Sequence, residues 1–235
     1  MSFSEKEIQN ATIEAIYWWN RSEYYYHRYF SRINEIRKNT SLFKFFTQKL
    51  FENFLKDYSI RRNLAAGYKN VDSLLEKLTK NFFKDAKKGK VGIVDNVSNK
   101  IKLSATLSKN EIKSLLSKVA FLINPPVFYP YDSRAKNSLW EIKKEKTQIK
   151  KKQLDQYSYF IKQCETLRAE FETDKVFQTA NRILNNYKKT DAYNFFKKNQ
   201  KAFAIRIVDK YLWLKAQKDS RDIDNRAYKK LLDLK

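Results

Sequence analysis

Apolar residues recur at helical spacing over most of the chain. Ile8, Thr12, Ala15 and Trp19 share one helical face, and Leu42, Phe45, Phe46, Leu50 and Phe54 share another over 41–57. Val71, Leu74, Leu75, Leu78 and Phe82 repeat the pattern over 70–86, and Ile112, Leu116, Val119 and Ile123 over 108–123. A further helix is predicted from Asp132 through Leu139 into a basic stretch, with others over 147–172 and 174–187. The last two are predicted over 199–216 (Phe203, Ile207, Tyr211, Leu214) and 220–234 (Ile223, Ala227, Leu231). Three Gly and three Pro leave little material for tight turns, so the expected fold class is all-α. One segment breaks the pattern. KKGKVGIVDNVSNKIKL, residues 87–103, holds two Gly, several β-branched residues and a turn-like Asp-Asn-Val-Ser-Asn cluster, which predicts a loop or a short β-hairpin near 88–103. No repeat of constant period and no low-complexity linker divides the chain. Residues 1–235 therefore read as a single bipartite helical unit, with a subdomain boundary placed near 100.

Composition makes this folded helical chain a strongly cationic one. Hydrophobic residues are 42% of the 235, enough for a core, yet 49 Lys and Arg stand against 26 Asp and Glu, a formal charge of +23. Codon bias in an AT-rich genome trades Arg for Lys but does not create a surplus of positive charge. Such a surplus attracts polyanions, since each Lys or Arg near a phosphate releases condensed counterions. Nucleic acid is the leading partner, double-stranded DNA first, ahead of an acidic membrane surface or an acidic protein. No run of 18 apolar residues occurs and the N-terminus lacks a basic-then-apolar signal, so the expectation is a soluble, cytoplasmic protein with no membrane partner. One cysteine, Cys164, and one histidine, His27, exclude an internal disulfide framework and cannot alone build a zinc site.

Two concentrations of residues could carry binding. Residues 17–30, YWWNRSEYYYHRYF, hold eight aromatics in 14 positions with Arg21 and Arg28 interleaved. Aromatics on every side of a helix cannot all face one core. An aromatic core and a platform for stacking bases, or a wedge into an unstacked duplex, both stay open. The second concentration is Arg134, Lys136, Lys143, Lys144, Lys146, Lys150, Lys151 and Lys152 against Glu141 and Glu145, a net +6 in 19 residues. As a helical face it would track a phosphate backbone. As a solvated face it would do nothing more.

The most specific segment is LLSKVAFLINPPVFYPYDSRAKNSLW, residues 115–140. An apolar helix ends at Asn124, two prolines enforce an extended passage, and Asp132 stands where a helix N-cap would stand. This stretch resembles the Lys/Asp region of the helix-hairpin-helix (HhH-GPD) DNA glycosylases, especially bacterial proteins with an 8-oxoguanine-glycosylase-like fold. In that superfamily a helix bearing a Lys, here matched by Lys118, leads through a Pro-containing passage to an Asp that starts the next helix, here Asp132. The closing RIVDKYLWLK, Arg206 to Lys215, is also similar to the C-terminal helix of those relatives. The resemblance implies an HhH-GPD-type fold and a protein that flips a damaged or modified base out of DNA and excises it. Asp132 would stabilise the oxocarbenium-like transition state, and Lys118 would attack C1′ to form a Schiff base. Arg134 would hold a phosphate near the lesion, and Tyr129 and Tyr131 would stack on the extruded base. DNA repair and defence against foreign DNA both fit. The superfamily's Gly-containing hairpin has no counterpart, because no Gly follows Gly92, so cationic side chains would have to grip the backbone instead.

Two other functions use the same residues. Pro130-Tyr131-Asp132 followed by Glu141-Ile142-Lys143 satisfies the loose PD-(D/E)xK spacing of Mg²⁺-dependent nucleases, whose site sits on a bent strand pair. A non-catalytic nucleic-acid-binding module needs only the charge and the aromatics. No Walker-type loop, Gly-rich dinucleotide turn, HExxH or Gly-x-Ser-x-Gly elbow is present, and no cofactor is implied.

Overall fold

In a computed structural model of the chain, the residues described are 3–60, 78, 80–104, 112–147, 149–173, 176–185, 190–217, 223–224, 226–227 and 229–230. Among these there is no strand. The helices are α1 (Glu5–Trp18), α2 (Tyr24–Phe30), α3 (Ile33–Ile36), α4 (Thr40–Phe45), α5 (Glu52–Asp57), α6 (Lys80–Lys87), α7 (Ile93–Ser104), α8 (Lys113–Ile123), α9 (Ser133–Thr147), α10 (Tyr157–Thr173), α11 (Val176–Asn185), α12 (Asp191–Lys198) and α13 (Gln200–Lys215). Wider π-helical turns join α1 to α2 (Trp19–Glu23) and α4 to α5 (Phe46–Phe51), and a 3₁₀ turn covers Lys151–Asp155. Val71, Leu74, Leu75 and Leu231 lie outside the described residues. No described helix is long and apolar enough to cross a membrane.

The chain divides at Tyr24/Tyr25 and at Tyr131/Asp132. Residue 100 is no boundary, because it falls inside α7. One unit joins Met1–Tyr24 to Asp132–Lys235, and the other is Tyr25–Tyr131.

The first unit is built round α13. Helices α1, α9, α10 and α12 all pack on it, and Ala202 through Leu212 are buried without interruption. A helix apolar all round belongs in a core, and this one also carries charges inward. Ser4 starts α1 with a capping box: its Oγ accepts from the Glu7 amide at 3.1 Å, and a Glu7 carboxylate oxygen accepts from the Ser4 amide. Trp19 is core, fully buried, donating from Nε1 to the Ala192 carbonyl and stacking at 4.6 Å on Phe196. Cys164 on α10 is also fully buried, and burial, with Asp209 and Glu165 nearby, pushes its thiol well up.

The second unit has an aromatic core. Phe30 meets Phe46 at 5.2 Å and Phe54 at 5.3 Å, both edge to face, while Tyr26 donates its hydroxyl to Asp57 at 2.8 Å. The hairpin or loop expected over 88–103 is instead a helix stop followed by a helix. Gly89, at φ +74°, donates to the Ala86 carbonyl while the Lys90 amide reaches back to Asp85, a Schellman termination of α6. The β-branched residues that suggested a strand are spaced for a helix: Val94, Val97, Ser98 and Ile101 form the buried face of α7. His27 is set between elements of this unit. Its Nδ1 donates to the Leu122 carbonyl at 2.7 Å, and burial holds its pKa below the usual value.

Candidate nucleic-acid interface

Two helices of the first unit carry matching stripes. On α1 and its π-helical extension, Glu14, Tyr17, Trp18 and Arg21 stand at i, i+3, i+4 and i+7; on α13, Arg206, Asp209, Lys210 and Trp213 stand at the same intervals. Each set therefore shares about one helical face. Because α1 packs on α13, aromatics and charges of both helices meet.

The buried end of the stripes is ionic. Arg206 is 1% exposed, as is Glu23, and the guanidinium bonds both Glu23 and Asp209. Buried charges survive only when paired, and the partners here come from opposite ends of the chain. The π-turn contributes to this, since its wider turn offsets Glu23 from the register that a continuous α-helix would impose. Burial raises the Asp209 carboxyl to about 6; Arg206 and Lys210 oppose that rise, and the carboxylates of Asp132 and Glu23 add to it. Burial, seconded by Arg206, lowers the Lys210 amine to about 8, against Glu23, Asp209 and Glu14.

The outer end is a ladder of rings and cations. Lys210 Nζ lies 5.2 Å from the Trp18 ring centre and 5.7 Å from that of Trp213, and the Arg134 guanidinium lies 5.8 Å from Trp213. Arg21 stands 5.7 Å from Tyr17 and 5.5 Å from Trp18, and Lys230 stands 5.1 and 5.7 Å from the same two rings. These are cation–π distances. Buried Glu14 secures the ladder from below, accepting from Trp18 Nε1 at 3.0 Å and from Lys230. The three rings are half-buried, and Arg21 and Arg134 are exposed.

The residues anticipated from sequence fall in several places. Asp132 caps α9: its Oδ1 accepts from the Ala135 amide at 2.8 Å, which fixes the carboxylate beside the buried ionic cluster of its own unit. Arg134, two positions on, is part of the ladder. Lys118 belongs to the other unit. It is buried, with Nζ donating to Ser114 Oγ at 2.8 Å and lying 5.5 Å from the Tyr58 ring. Tyr129 and Tyr131 are buried in that unit too, so neither offers an open ring face for a base; the Tyr131 amide donates to Ser117 Oγ.

The basic run after Asp132 is not one helical face. Helix α9 ends at Thr147 and the chain then passes into the 3₁₀ turn. Lys143 points inward, 2% exposed, and bonds Glu170 at 2.6 Å, while Lys136 pairs with Asp155 at 2.6 Å. Lys144 pairs with Glu141 at 2.5 Å, and Lys144 and Lys151 lie 4.9 and 5.1 Å from the centre of the Trp140 ring. Lys150, Lys151 and Lys152 are exposed, and the Lys146 side chain lies outside the described residues. The PD-(D/E)xK spacing does not find its strand pair: residues 133–147 are helical, Glu141 is engaged by Lys144 and Lys143 by Glu170. Among the described residues no three His, Cys, Asp or Glu side chains converge as a metal site requires.

Both segments of the site, 17–30 and 206–215, stand out in the sequence, while their meeting is a property of the fold. Arg206, Asp209 and Lys210 carry a readable signal, charged residues at i, i+3 and i+4 inside an apolar helix, whereas nothing local marks Glu23 as their partner. No protein-family model matches the chain, and neither the curated proteins nor the solved structures contain a match.

Proposed function

We propose that the protein binds nucleic acid and receives an unstacked base at the Tyr17–Trp18–Trp213 ladder. The carrying observation is the interleaving of half-buried rings with Arg21, Arg134, Lys210 and Lys230 in a chain of net charge +23. Rings offer every base a stacking face, while the guanidinium groups at the exposed edge suit flanking phosphates. The test is fluorescence anisotropy with labelled single-stranded DNA and with duplexes containing a mismatch. Loss of one base stack, in Trp213→Ala, is expected to weaken binding about 5- to 100-fold. Unchanged affinity in both Trp213→Ala and Trp18→Ala, with native circular dichroism, would remove the ladder from the interaction.

Excision of the received base, as the glycosylase resemblance implies, is favoured by one observation. The Asp132 carboxylate is held by the α9 amide in the field of Asp209, in the same unit as the ladder. A fixed carboxylate there suits a developing oxocarbenium ion. Incubation with DNA of varied damaged or modified bases in EDTA should then yield abasic sites, and Asp132→Asn should abolish them. Borohydride trapping addresses Lys118 separately: a Lys118→Ala variant that still cross-links would leave the nucleophile elsewhere.

A further inference from the structure

Helix α4 buries none of its residues. Leu42 and Phe45, one helical turn apart on it, are 38% and 44% exposed, and Tyr25 is 43% exposed. These side chains form one patch. Tyr29 lies 5.1 Å from Tyr25 and 6.4 Å from Phe45, ring centre to ring centre, and stacks at 6.3 Å over Phe46. Phe46 is buried against Phe30, so the exposed rings stand on the aromatic core of the second unit and are rigidly mounted.

The surroundings are cationic. Residues 36–51, IRKNTSLFKFFTQKLF, contain no acid, and Lys38, Lys44 and Lys49 are exposed without an ion pair among the described residues. Arg28 is also exposed, and its charge acts on the Tyr25 hydroxyl. An apolar tip ringed by positive charge matches a partner that offers flat apolar faces between rows of anions. A second copy of this chain would set Arg28, Lys44 and Lys49 against themselves. A lipid surface would need a wide apolar stripe, whereas Phe46, Leu50, Phe51, Phe54 and Leu55 of the same helical run are spent in the core, leaving only the tip. One or two apolar side chains are what opening a base step requires.

We infer that Tyr25, Leu42 and Phe45, with Arg28, Lys44 and Lys49 around them, form a second nucleic-acid contact that presses into an opened base step of a duplex. This rests on the nucleic-acid reading above and adds a separate surface for duplex DNA. Phosphates on either side of the step meet the cations, and the apolar side chains replace lost base stacking.

Both surfaces can be tested with the full chain. Duplexes with 2-aminopurine at one step should brighten on binding wild-type protein, and Leu42→Ala/Phe45→Ala should lose that signal. The same variant should lower duplex affinity about tenfold without altering its salt dependence, because no charge is removed. Lys44→Gln/Lys49→Gln should instead reduce the slope of log K against log salt by about 1.8, at roughly 0.9 per phosphate contact. If wild type binds neither single strands nor duplex, the nucleic-acid reading itself fails. If Trp213→Ala weakens binding while both patch variants bind and brighten like wild type, only this inference is overturned. Phe45-dependent binding to vesicles of phosphatidylserine and phosphatidylcholine, or a Phe45-dependent dimer in sedimentation velocity, would overturn it as well.

Discussion

Arg206 ties together the two carboxylates that would otherwise be the costliest groups in the protein. It reaches Glu23, 183 positions away, and Asp209, one turn along its own helix. Replacing Arg206 with Met would leave both carboxylates buried without their cation, and a loss of about 3–5 kcal/mol is expected in urea unfolding. Asp209 makes a second prediction through pH. Its carboxyl, at about 6 in the folded protein, binds a proton more readily than the ordinary value of 3.8 allows in the unfolded chain. Between those values the native state holds the extra proton, so this group's stabilisation is complete below pH 3.8 and is lost as pH rises through 6. Asp209→Asn should therefore cost less stability at pH 7 than at pH 4, which urea titrations of both proteins at the two values will show. Lys210 runs the other way. Its amine is depressed to about 8, so its contribution is full above its ordinary 10.5 and is lost as pH falls through 8. Near neutrality, between about pH 6 and about pH 8, the cluster holds both groups charged.

At the scale of elements, apolar spacing located the helical runs over 41–57 and 199–216. Leu42 and Phe45, expected on the core face of the first, are exposed, a π-helical turn interrupts that run, and the second is buried on every side. The sequence misled where residue type was weighed above spacing. Val94, Val97 and Ile101 prefer strands in general, yet their i, i+3, i+7 intervals put them on the inward face of α7. Gly89 explains the interruption that preceded them. Its φ of +74° ends α6, and a Cβ would meet Val127 at an ordinary 3.5 Å, so conformation rather than space fixes the residue. Gly89→Ala should lower stability by about 1 kcal/mol, seen as a reduced urea midpoint with the m-value unchanged. The basic run after Asp132 was legible as charge but not as geometry. Spacing alone did not reveal that Lys143 turns inward to Glu170, 27 positions on, or that the helix stops at Thr147. The cap role of Asp132 was legible because a polar residue after two prolines and before an apolar-periodic run has few other places to stand. The pairing of Glu23 with Arg206 was not, because nothing local joins two such distant residues.

For the whole molecule, charge outlasts every internal pairing. Ion pairs absorb Lys136, Lys143 and Lys144, yet the surplus of +23 is a property of the chain and no pairing within it can remove it. Binding to any nucleic acid should therefore weaken by at least tenfold between about 50 and 200 mM salt, as anisotropy titrations will measure, and a salt-independent affinity would detach the charge from the interaction. Aromatic residues divide by depth: Trp19 and Phe30 serve the cores, Trp18 and Trp213 stand half open beside cations, and Tyr25 and Phe45 face outward. The sealed Cys164 has a practical consequence. Its sulfur is the only one of its kind in the sequence, lies fully buried, and resists ionisation, so thiol reagents should pass it by. A single Lys44→Cys or Arg134→Cys substitution would then create the one reactive handle in the chain, and a fluorophore or spin label could report from either surface without any native thiol first being removed.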